Sequence, residues 1–431
     1  MELNKQVDFS AIIQKKWTQN QFFKIFCGIM ILGILLFLVS LKFFELDRWK
    51  CLFYILAEPG DSFMDFFNVM YHAQFKDLYA QWDFSNYLPF SYLSIMLFSF
   101  PIPAEVLQTS AETVRGNIYG IIALCTFFAV SLIPFMVMIF KNKGGNIKEK
   151  LLFCFFILFS APFLFSIERG NIIFIALVFT TFFIFYYDSP KRYLRELALI
   201  FLACAVAIKI YPAALGILLL RDKRYKDILR LGLYVLCLVL LPFFCYNGLG
   251  DIKFFVKSIK EVSRTYVTFG YGYTLNVYVT LKVIVYAITG QEFAFLNSIF
   301  HYASYLVLLC GIGVSYFIRK RWKTIAVAVL IMILVPSISW TYSLLFMVAP
   351  LVLFFNDKDE KTFKDLIYLI LFCLMFMLNI PMDAPIFLPR GYAVLMDNFC
   401  ARFACLIMFI MLCCDGIKDF KMRKTQNERI R

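Results

Sequence analysis

FFKIFCGIMILGILLFLVSLKFF, residues 22–44, holds no charged residue between Lys24 and Lys42. A hydrocarbon core about 30 Å thick is crossed by roughly 20 apolar residues in an α-helix, and this run is long enough. It exceeds the roughly 7–15-residue core of a secretory signal and lacks a small-residue cleavage site. It therefore reads as a retained transmembrane helix. The remaining sequence repeats the pattern in blocks at 117–140, 151–166, 170–187, 197–220, 229–247, 297–318, 324–355, 364–380 and 392–413. Hydrophobic residues make up 61% of the 431 and charged residues only 17%, against about 45–50% and about 25% in soluble domains. The expected fold class is an all-α polytopic membrane protein, a single domain over 1–431 with about 10–13 transmembrane or re-entrant helices.

The net charge of +14 does not point to nucleic acid, because no contiguous basic face is present. The cations fall instead in short gaps: KNKGGNIKEK at 141–150, SPKRYLRE at 189–196, RDKRYKDILR at 221–230, RKRWK at 319–323 and the tail DFKMRKTQNERIR. This is the positive-inside pattern, and it assigns both termini to the cytoplasm. The thirteen cysteines are scattered through apolar blocks, with no CxxC pair, and read as small packing residues.

Two blocks, 197–220 and 324–355, then have cytoplasmic charge at both ends. Each is expected to enter and return, bending at Lys209-Ile210-Tyr211-Pro212 and at Pro336-Ser337-Ile338-Ser339-Trp340, because proline ends the preceding helical run. Breaks at membrane depth persist only where they are buried in protein or line a polar cavity. The outer segments are 45–87 and 248–275, the second amphipathic enough to lie on the interface. Residues 86–103 and 275–290 read as partial or re-entrant helices.

Against this background the polar residues stand out. Asp61 and Asp65 follow the first span, spaced to share one helical face. Arg169-Gly170-Asn171, Arg115-Gly116-Asn117 and Arg390-Gly391 each set a cation beside a helix start on the outer side, where free amides favour anions. Lys209 is a charge within an apolar run, a position that by default hints at function. Simpler readings stay open: the arginines snorkelling to lipid phosphates, Lys209 paired with Glu168, the two acids merely solvated.

The ordered set resembles the membrane glycosyltransferases of the GT-C fold, and within them the family 87 branch. The matching residues are Met64-Asp65-Phe66-Phe67-Asn68 with Tyr71 and Ala73, then Tyr87-Leu88-Pro89, Arg169-Gly170-Asn171, Lys209-Ile210-Tyr211-Pro212 and Pro336-Ser337-Ile338-Ser339-Trp340. Departures are Tyr-Leu-Pro for a Tyr-Pro-Pro segment, and Thr341-Tyr342 where the family often carries histidine. The resemblance implies a GT-C helical bundle with an extracytoplasmic active site in the first outer loop. It further implies an inverting transferase that moves a sugar from a polyprenyl (undecaprenyl) phosphate to an extracytoplasmic glycan acceptor such as a cell-surface polysaccharide. Asp65 is the implied base, with Asp61 as fallback or acceptor-binding group. Arg169 and Lys209 would neutralise the departing phosphate, with Arg264 and Arg390 as weaker candidates. Asn171 and Tyr211 belong to the binding motifs, and Trp340, Tyr271 and Tyr273 would stack on sugar rings or line the lipid groove. The resemblance implies no definite cofactor and leaves a divalent metal open, since some members of the fold use one. A transporter or flippase, or a polymerase of lipid-linked saccharides, would share the broken helices and buried cations. The first of these more often shows internal repeats, which this sequence lacks.

Overall fold

The computed structural model describes residues 16–43, 59–79, 86–269, 274–291, 293–378, 386–387, 393–394 and 396–430. The chain is helical almost throughout. In order run α1 (Gln19–Phe43), α2 (Met64–Ala73), α3 (Pro89–Met96), α4 (Ala104–Leu107), α5 (Ala111–Gly116), α6 (Ile118–Asn142), α7 (Ile147–Leu158), α8 (Ala161–Arg169), α9 (Ile173–Tyr186) and α10 (Arg192–Ile208). They are followed by α11 (Gly216–Arg221), α12 (Tyr225–Leu240), α13 (Ile252–Phe269), α14 (Val277–Thr289), α15 (Ala294–Ser315), α16 (Arg321–Leu334), α17 (Val348–Asn356), α18 (Phe363–Phe376) and α19 (Met396–Ile430). One short antiparallel pair, β1 (Ile386–Phe387) with β2 (Ala393–Val394), precedes the last helix.

Among the described residues, four segments are long and apolar enough to cross a membrane: Gln19–Val39, Ile118–Asn142, Tyr225–Cys245 and Cys400–Gln426. A fifth is reached if α7 and α8, bent by 54°, count as one broken span. Most of the other apolar blocks appear as shorter helices, among them α9, α14, and α10 and α16 before the two expected bends with Tyr211–Arg221 and Thr341–Asn356 after them. The protein is thus a helical membrane protein whose interior is built from short helices. Its outer helices carry apolar side chains to the surface, such as Leu229 at 75% and Leu309 at 67% exposed, which only a hydrocarbon surround makes favourable. The central helix α16 is the opposite case, buried on every face from Thr324 to Leu334, as a helix apolar all round must be.

The basic gaps gather at one end and are stapled there. The Asn356 side chain accepts from the Gly144 amide (2.7 Å) and donates to the Asn142 carbonyl (2.7 Å). Arg321 reaches the Ile184 carbonyl and Asp188, Arg221 the Ile318 carbonyl, and Lys320 pairs with Asp357 at 2.8 Å. Lys361 is held by Phe354 and Asp357 carbonyls at 3.1 Å each, and burial pushes its ammonium below the usual lysine range. From this end, the 14 residues of α16 climb about 21 Å to the second break.

Both expected breaks occur where prolines and polar residues placed them. Helix α10 stops at Ile208, and the chain resumes as a 3-10 turn at Tyr211–Leu215. The Ile208 carbonyl, orphaned by the stop, accepts the Ser91 hydroxyl of α3 at 2.9 Å. After α16 the chain runs irregularly to a 3-10 turn at Thr341–Met347. There the Ser339 carbonyl accepts from the Leu275 amide (2.6 Å), and the Ser337 carbonyl from the Asn276 side chain (2.8 Å). In each case a neighbouring element supplies the partner that interrupted backbone needs away from water.

A third break separates α8 from α9. Gly170 adopts φ +61°, its amide bonds to the Ile167 carbonyl (2.8 Å), and the Asn171 amide reaches back to Ser166 (3.1 Å), the Schellman pattern that closes a helix. The Asn171 side chain then accepts from the Ile173 amide at 2.9 Å and starts α9. A Cβ at Gly170 would stand 3.1 Å from both the Phe63 carbonyl and the Phe66 Cβ. Glycine is required here twice, for its handedness and for the close approach of α2. Gly170→Ala is expected to destabilise the protein by about 1–3 kcal/mol and to lower its thermal unfolding temperature in detergent. Gly216→Ala, which meets nothing within 4 Å, leaves that temperature unchanged.

Candidate functional site

Asp61 ends a 3-10 turn at Pro59–Asp61, and Asp65 lies in the first turn of α2. The shared helical face expected from their spacing is not how they meet. Phe63 between them turns left-handed at φ 64°, and its amide is anchored to the Glu168 carbonyl at 2.6 Å. The two carboxylates are gathered instead by a cation. Arg169 donates through Nη1 to Asp61 and through Nη2 to Asp65. Asn171 adds a bond from Nδ2 to the other oxygen of Asp65, at 2.6 Å. A guanidinium offers five N–H donors in a rigid fork, which suits two carboxylates better than an ammonium would.

The exposures differ in a useful way: the side chains of Arg169, Asp65 and Asp61 are 10%, 18% and 35% exposed. Each carboxylate oxygen has two lone pairs, so Asp65 keeps acceptor capacity beyond its bonds to Arg169 and Asn171. Asp61 presents the more open face.

Lys209 caps the end of α10 at the first break. Its ammonium lies 4.2 Å from the ring centre of Tyr87 and 5.4 Å from that of Tyr342, and Asp65 contributes an attractive field. Its neighbours are thus aromatic faces and Asp65, not the Glu168 carboxylate entertained from sequence. Such contacts are worth about 2 kcal/mol when desolvated. Tyr342 belongs to a stack: its ring lies 6.0 Å from Phe165 and 6.1 Å from Trp340 with interplanar angles of 12° and 29°. The guanidinium of Arg169 sits 5.9 Å over Trp340. Tyr211 is directed inward, edge-on to Phe346 at 5.8 Å.

Six expected residues therefore come together or adjoin one another: Asp61, Asp65, Arg169, Asn171, Lys209 and Trp340. Two expectations about position are corrected. Arg169 closes α8 and does not open the next helix, and Arg115 likewise closes α5, from where it donates to the Gly60 and Ser62 carbonyls. Arg115 thus ties down the acid-bearing turn through its guanidinium. Asn171, 1% exposed, acts through Asp65. Arg264 lies on the exposed side of α13, away from its buried Phe255, Ser258 and Val262, and is not among the contacts described for the acid pair. Arg390, Tyr271 and Tyr273 lie outside the described residues. His72 is half-buried against Tyr71 and Phe75, and burial pushes its imidazole below the usual range.

Phe165 and the ring role of Tyr342 escaped the sequence reading. Phe165 sits in an apolar block with no distinguishing neighbour, and Tyr342 was notable only as a departure from a motif. For a metal, the described residues offer no group of three or more His, Cys, Asp or Glu, and the guanidinium of Arg169 occupies the space between the two carboxylates.

No family model matches the chain, and no curated protein or solved structure matches it either.

The clamp makes an ordered prediction. Removing one partner of a buried ion pair costs about 3–5 kcal/mol, because a charge is left uncompensated. Arg169→Gln leaves two carboxylates together and is expected to lower the thermal unfolding temperature most, Asp65→Asn less, and Asp61→Asn, one-third exposed, least. The triple variant Asp61→Asn/Asp65→Asn/Arg169→Gln regains part of the loss of Arg169→Gln alone.

Proposed function

We propose that the protein is an inverting glycosyltransferase of the GT-C type. It would take a sugar from a polyprenyl phosphate, in bacteria undecaprenyl phosphate, and hand it to a glycan acceptor at the outer membrane surface. In this reading the stapled basic end faces the cytoplasm and the acid clamp faces outside. The observation that carries it is the convergence of an arginine-bridged carboxylate pair with a buried ammonium at three helix breaks. The reaction needs those elements: a base for the acceptor hydroxyl, a cation for the departing phosphate and aromatic faces for sugar or lipid.

In the proposed step, Asp65 accepts the proton of the acceptor hydroxyl as its oxygen attacks the anomeric carbon from the face opposite the phosphate. The bond from that carbon to phosphate oxygen breaks, and the electron pair leaves with polyprenyl phosphate. Lys209 sits where it can offset the charge developing there. Arg169, with both terminal nitrogens engaged by Asp61 and Asp65, serves first to orient the base and shares in charge stabilisation second. Asn171 fixes the second oxygen of Asp65. Trp340 and Tyr342 supply flat surfaces, and Asp61 a more open carboxylate for an acceptor hydroxyl. General-base assistance is worth roughly 10²–10⁴-fold, so loss of Asp65 is expected to cost at least about 10² in turnover.

The test compares wild type, Asp65→Asn and Lys209→Met, at matched membrane levels, in a host lacking its own copy. The expected result is that both variants fail to add one sugar to the surface polysaccharide while the corresponding lipid-linked sugar accumulates. A polysaccharide and lipid pool indistinguishable from wild type in Asp65→Asn would overturn the assignment of the base, and with it the reading as a transferase.

A further inference from the structure

A cavity of about 550 Å³ adjoins the break after α16. That volume lies within the about 300–1,000 Å³ typical of small-molecule sites. Its walls come from Ser263 of α13, Tyr278 of α14, His301, Tyr302 and Tyr305 of α15, and Ser337 of the break. Among the described residues no Asp, Glu, Lys or Arg lines it, and Leu308 and Val335 are the aliphatic contributions. The ammonium of Lys282 lies over the ring of Tyr278 at 5.4 Å.

This lining narrows the ligand. Among the described lining residues, an acyl chain would meet two aliphatic side chains, Leu308 and Val335, and a phosphate or carboxylate no arginine or lysine. Ring faces alternating with hydroxyls suit a molecule that has both apolar C–H faces and many hydroxyl groups. Tyrosine serves both needs, since its body is apolar and its tip polar. The rings are already arranged around one another, His301 edge-on to Tyr305 at 5.5 Å and to Tyr278 at 6.5 Å. The wall on the break side is fixed as well, because Asn276 both accepts from the Val279 amide (2.7 Å) and donates to the Ser337 carbonyl.

The cavity is linked to the acid clamp through the break. Ser337 lines it, and three residues later Trp340 lies under Arg169, a backbone distance of at most about 11 Å. Trp340 pairs in turn with Thr274, two residues before Asn276.

We propose that this cavity is the acceptor subsite and binds a neutral saccharide of one or two rings, with its reactive hydroxyl toward Asp61 and Asp65. The proposal rests on the transferase reading for the word acceptor, but its binding chemistry stands on the cavity alone. Tyr302 and Tyr305, 68% and 53% exposed, can be altered without opening the core.

The full-length protein in lipid nanodiscs is titrated with methyl hexosides, methyl N-acetylhexosaminides and neutral disaccharides, and binding is read by saturation-transfer NMR on the sugar. At least one is expected to bind saturably with a dissociation constant of about 1–10 mM. Tyr302→Ala/Tyr305→Ala weakens that binding about tenfold, and Tyr302→Phe/Tyr305→Phe, which keeps the rings, weakens it less. Absence of saturable binding by every sugar overturns the proposal. So does binding insensitive to loss of both rings, or displacement of the bound sugar by brominated phospholipid chains. Because no turnover is involved, Asp65→Asn cells with normal polysaccharide alongside intact sugar binding would sink the transferase reading while leaving the saccharide site standing.

Discussion

The Arg169 guanidinium, fixed between Asp61 and Asp65, is the interaction on which the acid-bearing end of this protein depends. A guanidinium in a mostly desolvated position is costly unless it is compensated, and here the compensation comes from a different stretch of chain, more than 100 residues earlier. Satisfying it draws the turn at Pro59–Asp61 and the start of α2 onto the junction of α8 and α9. Phe63 follows with its amide on Glu168, and Arg115 fastens the same turn from the other side. The start of α2 is therefore positioned by polar contacts, with α3 tied separately through Ser91 to Ile208 and apolar packing of Phe66, Phe67 and Met70 behind them.

Three interrupted helices meet around that point, and each meets the backbone problem differently. At Gly170 the chain closes on itself; at Ile208 a serine hydroxyl from α3 serves the free carbonyl; at Ser337 and Ser339 an extended neighbour pairs with the break. None of these devices requires bulk water, which explains how irregular chain persists inside an apolar bundle. The opposite end has continuous helices joined by short polar loops, stapled by side chains such as Asn356 and Arg321. Order at one end and interruption at the other leave the polar groups of the bundle free to converge where the helices stop.

Much of this was legible in the sequence, for identifiable reasons. Apolar length and the placement of lysine and arginine depend on local composition, so the helical blocks fell close to the observed helices. Proline and the polar run at 336–340 located the breaks. Arg169 and Lys209 were noticeable because charge is rare in such surroundings. The partners were not legible. The spacing of Asp61 and Asp65 suggested a common helix, but a left-handed phenylalanine at position 63 has no sequence signature, and it separates them into two elements. That Arg169 should face acids, and Lys209 tyrosine rings, is decided by tertiary contacts between distant segments. Likewise α16 is ordinary in sequence, and only its neighbours make it the buried axis. Short helices of 10–17 residues also blur the number of crossings, because composition alone does not say which pieces traverse a bilayer together.

The tyrosine cradle of Lys209 has a consequence of its own. An ammonium gripped by a carboxylate is oriented along particular lone pairs, and any newcomer must first break that grip. Ring faces attract a cation through a diffuse quadrupole with little angular demand. The three N–H vectors of Lys209 can thus swivel over Tyr87 and Tyr342 while the nitrogen hardly moves. The charge is stationary and its directionality is uncommitted, which under the proposed function would let the end of α10 receive an anion without a fixed angle of approach.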